Sequence, residues 1–546
     1  MKKLYLALLF LSSLTASAQM PSFRWAITQP ANFASTYSQS VVNLVAATPA
    51  SGVISTNLKE VKRAYSSFHL GPLEWYAYDA AGNLQWSRSW PGNTRVTQLR
   101  VGASGNIFVT GTFLDSLRLG PQHLLQTSGP NSHEAYLACL DATGQVLWVK
   151  NLSQLYGNVM KNDGMALDGR DNVYVAYTVG ISNNSFIRKF DAAGNPVQVI
   201  AQTGVPTIFS LDVDARGNIF ASGACVSNNG GQFGGVPFSP QVSGNGYNKF
   251  VVRYRPSGVP SWVAFAGDVT CSASQVKADK TGGAYWVGIQ KDNASFGPHP
   301  VNGPLTGSSA DFFISRLDSA GNFLWARDLP PSQNSGGQPG KQQFMAVDNL
   351  NNLLLTGSHK GSINWGNGIQ TTSPGTTSAV YDLLVLQCSE IGTVNWVKTT
   401  NSTGGLRYGH GLALAPNGSV FVSGLFNMNA TLDTISLGGT TNYIPFVARL
   451  GGNNQNTSPL GVSTNIGKSD LQLFPNPATE ELTLQPGFLL QNATISVMDL
   501  NGKVVQKIQV AAEKELKLLV KNLPAGLYLV SVESKEKVQV ARFMKQ

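Results

Sequence analysis

Short apolar segments and polar turns alternate along most of this chain, and their order repeats. Each repeat runs through an apolar segment, a D-x-x-G-N-like turn, a segment ending in Gly, a long polar stretch, a segment like FISRLD, a second such turn, and a segment carrying Trp. Apolar segments of this length bounded by Gly and Asn are typical of strands. In the second repeat the predicted strands are Val96–Val101, Asn106–Gly111, Glu134–Leu140 and Gln145–Lys150.

The repeat returns seven times. Residues at the Trp position lie 50 to 71 residues apart, and they are Trp25, Trp86, Trp148, Gln198, Trp262, Trp325 and Trp396. A period in this range indicates a repeat architecture. Four antiparallel strands per repeat describe one blade, so the pattern predicts an all-β fold containing a seven-bladed β-propeller.

The two ends of the repeat region complement each other. The seventh repeat lacks a fourth strand after Phe446–Leu450, whereas Ser22–Ile27 is a fourth strand without earlier strands of its own. Pairing the two closes the ring and removes its open edges. Over roughly Ser22 to Leu450 the chain resembles secreted bacterial β-propeller repeat proteins, a resemblance that implies the fold and little about function.

The N-terminus has the pattern of a secretory signal. Lys2 and Lys3 precede an apolar run, and small residues end at Ala16-Ser17-Ala18 before Gln19. A basic segment, a short apolar stretch and an A-x-A step predict cleavage between Ala18 and Gln19. No later segment is long and apolar enough to predict a transmembrane helix in the mature chain.

The last 76 residues differ from the repeats. They contain LFPNP at Leu473–Pro477, MDLNGKVV at Met498–Val505 and LPAGLYLVSV at Leu523–Val532. This segment resembles the type A C-terminal sorting domain of the type IX secretion system of Bacteroidetes-type bacteria. The matching motif residues are Pro475, Asn476, Pro477, Gly502, Lys503 and Gly526.

The resemblance implies export through the periplasm to the medium or the outer cell surface, with the type IX secretion machinery as partner. Alternating strands broken by NG and PAG independently predict a small Ig-like β-sandwich. An ordinary sandwich module without a sorting role is the alternative. The expected domains are a signal peptide (1–18), the propeller (19–450), a linker (451–466) and the sorting domain (467–546).

Composition excludes several classes of function. The net charge of +9 is spread without a run of adjacent basic residues, so no nucleic-acid partner is expected. The six His residues show no metal-ligand spacing, and no phosphate-binding loop follows a strand, so neither a metal nor a cofactor is expected. Each D-x-x-G-N turn offers one carboxylate, which favours a capped turn over a calcium site.

The two turn types share one face of the predicted ring, which leaves the long connections, such as SRSWPGNT after Trp86, on the other. Rigid scaffolds commonly bind ligands through such loops. Candidate ligand-binding residues there are Trp90 and Tyr408, whose rings could stack on sugars or pack inward. Asp163 and His410 begin innermost strands and can ionise near neutral pH, although they lie on different blades.

The cysteines offer one plausible pair. Cys139 and Cys388 belong to distant blades, whereas Cys225 and Cys271 lie on connections of the long-loop face. A secreted chain permits a Cys225–Cys271 disulfide, and two free thiols are the alternative.

Three functions remain open on the sequence. The first is a surface or secreted binding or adhesion protein that recognises a glycan or a protein. The second is a polysaccharide-active hydrolase or lyase on a propeller scaffold, which would need converging carboxylates or a His/Tyr/Arg cluster. The third is a structural surface-layer role. The absence of such a cluster from the sequence favours binding.

Overall fold

Strands make up nearly all regular structure in the computed structural model of the protein. The structure describes residues 20–31, 43–59, 62–63, 69–129, 132–180, 183–226, 231–239, 247–268, 274–290, 293–302, 311–328, 336–373, 380–400, 404–451, 471–486, 490–499, 504–533 and 538–546. They divide into two compact units, one within residues 20–455 and the other within 456–546. The predicted all-β class is confirmed.

The first unit begins with β1 (Phe23–Thr28) and continues through successive antiparallel groups. The strands of repeats one and two are β2 (Leu44–Ala47), β3 (Val53–Leu58), β4 (Lys62–Arg63), β5 (His69–Tyr78), β6 (Leu84–Val101), β7 (Ile107–Arg118), β8 (Leu124–Gln126), β9 (His133–Leu140) and β10 (Val146–Asn151). A short helix, α1 (Leu152–Tyr156), follows them, although the sequence predicted no helix.

Repeats three and four lie in separate antiparallel sheets of six and four strands. Their strands are β11 (Val159–Leu167), β12 (Val173–Val179), β13 (Asn184–Phe190), β14 (Pro196–Thr203), β15 (Thr207–Val213), β16 (Ile219–Val226), β17 (Gly231–Phe233), β18 (Val236–Phe238), β19 (Tyr247–Tyr254) and β20 (Pro260–Asp268).

Repeat five adds a small outer hairpin, and repeat six has an interrupted first strand. Their strands are β21 (Ser274–Ala278), β22 (Ala284–Gln290), β23 (Ala294–Phe296), β24 (His299–Val301), β25 (Asp311–Leu317), β26 (Phe323–Arg327), β27 (Gly336–Pro339), β28 (Met345–Val347), β29 (Leu353–Lys360), β30 (Ser362–Gly366), β31 (Ile369–Thr372), β32 (Asp382–Cys388) and β33 (Val394–Thr399).

Repeat seven takes its outer strand from the N-terminus. Its own strands are β34 (Arg407–Leu414), β35 (Val420–Phe426), β36 (Ala430–Leu432), β37 (Ile435–Leu437) and β38 (Ile444–Leu450). The sheet order is β1-β38-β35-β34, and Phe23 lies opposite Leu450. The backbone N–H of Phe23 also donates to the Asp433 carboxylate at 2.8 Å. The predicted pairing of the N-terminal strand with the seventh repeat is therefore confirmed.

The first strands of neighbouring repeats contact one another in sequence. β2, β6, β11, β15, β21, β28 and β34 each touch the next, and β34 also touches β2. Their apolar side chains belong to cores shared between adjacent repeats, such as the one joining Leu211 of β15 to Ala176 of β12. These contacts place the first strands around a common centre.

An inter-repeat latch explains the repeated Trp. The indole Nε1 of Trp262 in β20 donates to the Ser319 carbonyl in the β25–β26 turn of the next repeat, at 3.0 Å. Trp86 bonds Ala142 in the same way, also at 3.0 Å. A Cβ added at Gly321, whose φ is +88°, would lie 2.6 Å from the Trp262 ring. The repeated Gly therefore supplies both the turn conformation and the space for the indole.

The D-x-x-G-N turns are capped by their own Asp side chains. Asp79 Oδ1 accepts the backbone N–H groups of Ala81 and Asn83 at 2.9 Å, and Oδ2 accepts the Asn83 amide at 2.9 Å. Asp214 and Asp318 cap their turns in the same way. The carboxylate oxygens are thus used within the turn, as the capped-turn interpretation requires.

The second unit contains two antiparallel sheets. One has the order β39-β40-β43 and the other β42-β41-β44-β45, with strands β39 (Leu471–Phe474), β40 (Glu481–Pro486), β41 (Leu490–Met498), β42 (Val504–Glu513), β43 (Leu516–Leu519), β44 (Gly526–Glu533) and β45 (Val538–Lys545). Leu482 and Leu518 of the first sheet share a buried core with Ile495 and Val530 of the second.

Candidate functional site

Six of the seven first strands, all except β11, line a central pocket of about 450 Å³. It opens at the ends of these strands that lead into the D-x-x-G-N turns, because the turn residues Asp214–Arg216 and Asp279–Lys280 line it. The remaining lining residues are Val45–Ala47, Leu99–Val101, Asp212, Val213, Lys277, Ala278, Gly282, Gln343, Met345–Val347 and Leu412–Leu414. The pocket therefore lies on the turn side of the repeats, and not on the long-loop side where sequence analysis placed the ligand.

Gln343 bridges this pocket from repeat six to repeat two. Residues 340–344 interrupt the first strand of repeat six between β27 and β28, and Gln343 has a φ of +53°. Its side-chain oxygen accepts the Leu99 backbone N–H at 2.9 Å, and its amide nitrogen donates to the Leu99 carbonyl. This paired contact makes the Gln343 side chain part of the pocket lining.

One register position of the first strands distinguishes three repeats from the other four. In each repeat it pairs with the second residue of the second strand, as Ala46 pairs with Ile54 and Asp212 with Phe220. Four repeats carry alanine there, at Ala46, Ala166, Ala346 and Ala413. The other three carry Arg100, Asp212 and Lys277.

These three charged side chains meet at the central pocket. Lys277 Nζ lies 2.7 Å from Asp212 Oδ1, and the Ala278 backbone N–H donates to Asp212 Oδ2 at 2.9 Å. Asp212 thus joins repeats four and five, and both partners of the ion pair keep some exposure, 25% for Lys277 and 16% for Asp212.

Arg100 is the third member of this group and is half-buried. Burial lowers the pKa of its guanidinium to about 10, against the opposing effect of the Asp212 carboxylate. Arg100 therefore remains a cation at neutral pH. One of its terminal nitrogens, Nη1, donates to the Leu99 carbonyl at 3.1 Å.

The pocket as a whole favours anions. Arg216 and Lys280 add two exposed cations from the turns, and their side chains form no ion pair among the described residues. Of the carboxylates, Asp214 caps its own turn and Asp279 is bound by Arg316 at 2.9 Å. With the Asp279–Arg316 pair set aside, four cations face two carboxylates, Asp212 and Asp214, so the lining keeps a net formal charge of +2.

The aromatic candidates from the sequence are buried. Trp90 is 2% exposed, and its ring centroid lies 4.7 Å from that of Trp75. Instead of an irregular loop, SRSWPGNT is part of the continuous strand β6, in which Trp90 pairs with Leu73. Tyr408 is 8% exposed and packs between Tyr381 and Tyr443. Neither ring offers a free face for stacking on a ligand.

The ionisable candidates also differ from expectation. His410 is 1% exposed, and its pKa falls to about 3 through burial and the nearby Lys341, so it is neutral at physiological pH. Its Nδ1 lies 3.1 Å from Asn43 Oδ1. Asp163 is half-buried, and its backbone carbonyl accepts the Gln98 amide at 2.6 Å. The structure gives no contact between Asp163 and His410 within its described residues.

Cys225 is fully buried in the core of repeat four, where burial raises the pKa of its thiol to about 12. Its proposed partner Cys271 lies outside the described residues, so the disulfide stays a prediction. The same holds for the cleavage site at Ala18 and Gln19.

Among the sorting-motif residues, Asn476 fixes the LFPNP segment to the last strand. Its side chain donates to the Arg542 carbonyl at 3.1 Å and accepts the Met544 backbone N–H at 2.9 Å. Pro475 and Pro477 flank it on the surface, and Gly526 begins β44 opposite Lys545. Gly502 and Lys503 lie outside the described residues.

Sequence reasoning missed the charged register position because it considered the opposite end of the first strands. A signal was present. The three residues before the first turn are LRV, LDV and VKA in repeats two, four and five, and their middle residue is charged. In repeats three, six and seven they are MAL, MAV and LAL, and the middle residue is alanine. Comparing the repeats at that position would have found Arg100, Asp212 and Lys277.

Comparison with known proteins identifies the C-terminal segment. Residues 472–546 match the family described as secretion system C-terminal sorting domain. This confirms the type IX sorting domain expected from the motifs, and it indicates secretion or attachment at the cell surface. No helix in the described part of the chain is long and apolar enough to span a membrane. No curated protein matches the chain in sequence.

Several solved structures resemble the chain at low identity. The polysaccharide lyase Uly1 shares 9% identity with a TM-score of 0.40, over 75% of this chain and 89% of the lyase. A gluconolactonase from Xanthomonas campestris shares 12% identity with a TM-score of 0.27, over 65% and 94%. A DUF4623 family protein from Bacteroides eggerthii DSM 20697 shares 9% identity with a TM-score of 0.30, over 59% and 68%. Because these TM-scores are low, the matches assign no function to this chain.

Proposed function

We propose that the protein is an exported binding protein that takes the anionic group of a glycan into its central pocket. In this proposal residues 19–450 form a seven-bladed β-propeller closed by β1, residues 451–466 a linker, and residues 467–546 an Ig-like sorting domain. The observation that carries the proposal is the charged set Arg100, Asp212 and Lys277 at a position where the other four repeats carry alanine.

The chemistry of this set suits an acidic sugar. Arg100 can bind a carboxylate or sulfate through paired N–H groups, and Lys277 adds a second cation. Asp212 can accept hydrogen bonds from sugar hydroxyl groups beside the anion. Binding is favoured over catalysis because Asp212 is held by Lys277 and Ala278, and the residues lining the pocket include no His, Tyr or Glu.

A glycan array probed with the mature protein tests the proposal. We expect uronate-bearing or sulfated glycans to bind and their neutral counterparts to fail. Because a hydrogen bond to a charged group contributes about 1.5–3 kcal/mol, Arg100→Ala should weaken binding by roughly tenfold to a hundredfold. Lys277→Met should also weaken it, with some loss of stability because Asp212 loses its partner.

Arg170→Ala is the matched control. Arg170 is an exposed turn residue in repeat three, at the position that Arg216 occupies in repeat four, and it does not line the pocket. Its removal changes the net charge equally and should leave binding intact. Preference for neutral glycans, or equal binding by wild type and Arg100→Ala, would refute the proposal.

A further inference from the structure

A second basic groove adjoins the central pocket on repeats four and five. It is lined by Arg216, Asn218, Arg253, Arg255, Ser261 and Ser319, together with Pro256, Trp262 and Ala320. Arg216 lines both the groove and the central pocket, so the two are adjacent. No acidic side chain lines the groove, whereas three arginines do.

Two of the three arginines of this groove are available to a ligand. Arg216 and Arg255 are exposed, and among the described residues their side chains form no hydrogen bond or ion pair. Arg253 and Arg255 lie two residues apart around the fully buried Tyr254, which places them on the same side of β19 and its extension. Arg253 is half-buried, with its guanidinium 5.8 Å from the Phe220 ring centroid. Its Nη1 donates to the Ser319 carbonyl at 3.4 Å, which leaves Nη2 for a ligand.

Arg255 also differs from the residues that begin the corresponding turn in other repeats. The turn between the third and fourth strands begins with Asp79, Asp141, Asp191 or Asp318 in four repeats and with Ser389 in another. In those repeats the side chain accepts backbone N–H groups of its own turn, as Asp318 does from Ala320 and Asn322 at 2.9 Å. Arg255 keeps the turn, with Gly258 N–H donating to its carbonyl at 2.8 Å, but cannot cap it. A residue that departs from the repeat pattern, with no nearby contact to replace the lost one, often belongs to a functional site.

We propose that the groove extends the central pocket, so that the ligand is a linear acidic polysaccharide spanning both. This rests on the proposed function. One charged sugar occupies the pocket beside Arg100 and Lys277, and the following charged sugars pass Arg216 and reach Arg253 and Arg255. A chain with one charge per sugar or disaccharide matches cations that are spaced along a path.

The surface fits a polysaccharide better than a nucleic acid. Binding of single strands relies on aromatic rings with free faces for base stacking. Trp262 is the aromatic residue lining the groove, and its ring is held by the Ser319 carbonyl and Gly321.

Calorimetric titration with oligosaccharides of increasing length tests the inference. The ligands are a uronate series and a sulfated series, each from one to six sugars, and an oligothymidylate of equal charge. With wild-type mature protein, we expect affinity to rise with length by at least about tenfold in one or both acidic series. The series that shows the rise identifies carboxylate or sulfate as the recognised group.

Arg255→Asp provides the decisive variant, because it restores the cap found in the other repeats. We expect it to keep or raise the melting temperature, to bind the shortest ligand as wild type does, and to lose most of the gain with length. Arg216 lines both the pocket and the groove, so Arg216→Ala should weaken binding of every ligand and should also reduce the gain with length. The control Arg170→Ala should match wild type.

Length-independent affinity, wild-type binding of the hexasaccharide by Arg255→Asp, or tighter binding of oligothymidylate than of either acidic series would overturn the inference. These outcomes leave the proposed function standing if Arg100→Ala still weakens the shortest ligand. Loss of the Arg100 effect would instead refute the proposed function itself.

Discussion

At the scale of single residues, the repeats separate structural positions from candidate functional ones. Gly321 and Trp262 serve the latch between repeats, and related pairs recur around the unit, for example Trp325 and Gly392. Gln198 replaces the indole in one repeat, and a Cβ at Gly258 would lie 3.0 Å from its amide nitrogen. A residue type that recurs at one position of the repeats thus indicates a packing role. Arg100 and Arg255 instead differ from the residues at the same position in most other repeats.

The latch predicts a specific cost for Gly321→Ala. Its Cβ would meet the Trp262 ring at 2.6 Å, and φ is +88°. The control Gly105→Ala has a φ of +89° but only a contact of 3.7 Å with Ala142. We expect both variants to lose about 1 kcal/mol or more from backbone strain, and Gly321→Ala to lose a further 1–3 kcal/mol from the clash. Chemical denaturation measures the difference, and equal losses would argue against the latch.

The capped turns predict acid sensitivity. The Asn83 amide and backbone N–H lower the pKa of Asp79, and Asn195 does the same for Asp191. A carboxyl with a lowered folded-state pKa stabilises the fold above its ordinary value near 4, and this contribution is lost as the pH falls through the folded-state pKa. The melting temperature should therefore drop below about pH 4.

Asp79→Asn combined with Asp191→Asn tests the source of that drop. Asparagine keeps an acceptor oxygen but cannot titrate, so the double variant should show a smaller difference in melting temperature between pH 7 and pH 3. An identical pH profile for the variant and the wild type would assign the acid sensitivity to other groups.

At the scale of elements, periodicity predicted the strands well, because a buried strand needs alternating or continuous apolar residues and a turn needs Gly or Asp. It predicted β7 and β29 from IFVTG and LLLTG. It failed for β6, because SRSWPGNT reads as a polar loop with Pro and Gly. Pairing with β5 and β7 overrides that local preference and buries Trp90.

The candidate site was less predictable than the strands. Whether His410 faces solvent depends on contacts with Asn43, hundreds of residues away, that local sequence does not encode. The pocket likewise depends on Gln343 reaching Leu99 from a distant repeat. Only the alignment of the repeats at one register position could have indicated Arg100, Asp212 and Lys277.

The N-terminal strand carries a prediction at this scale. Deleting residues 20–28 exposes the edge of β38 and removes the buried side chain of Phe23. We expect aggregation and a markedly lower melting temperature, since an unpaired strand edge recruits other chains. Removal of residues 467–546 is the control, and it should not produce this effect. Wild-type melting after loss of the N-terminal strand would contradict the pairing with β38.

At the scale of the whole molecule, the chain combines a unit of repeats with a unit that directs export. Each has its own buried core, so the repeat unit should fold without residues 467–546. In the native host, that truncated protein should accumulate in the periplasm, whereas full-length protein reaches the surface or the medium. Fractionation with immunoblotting measures this, and surface delivery of the truncated form would contradict a sorting role for the tail.

The pairing of β1 with β38 also determines when the ring of repeats can close during synthesis. The partners are separated by about four hundred residues, so β1 is made first and must wait until the last repeat emerges from the ribosome. Until then the growing polypeptide has an unpaired strand edge near each end. We therefore expect chaperones that delay folding during translocation to favour correct pairing of β1. A stalled or truncated nascent chain should be prone to exchange strands with neighbouring chains.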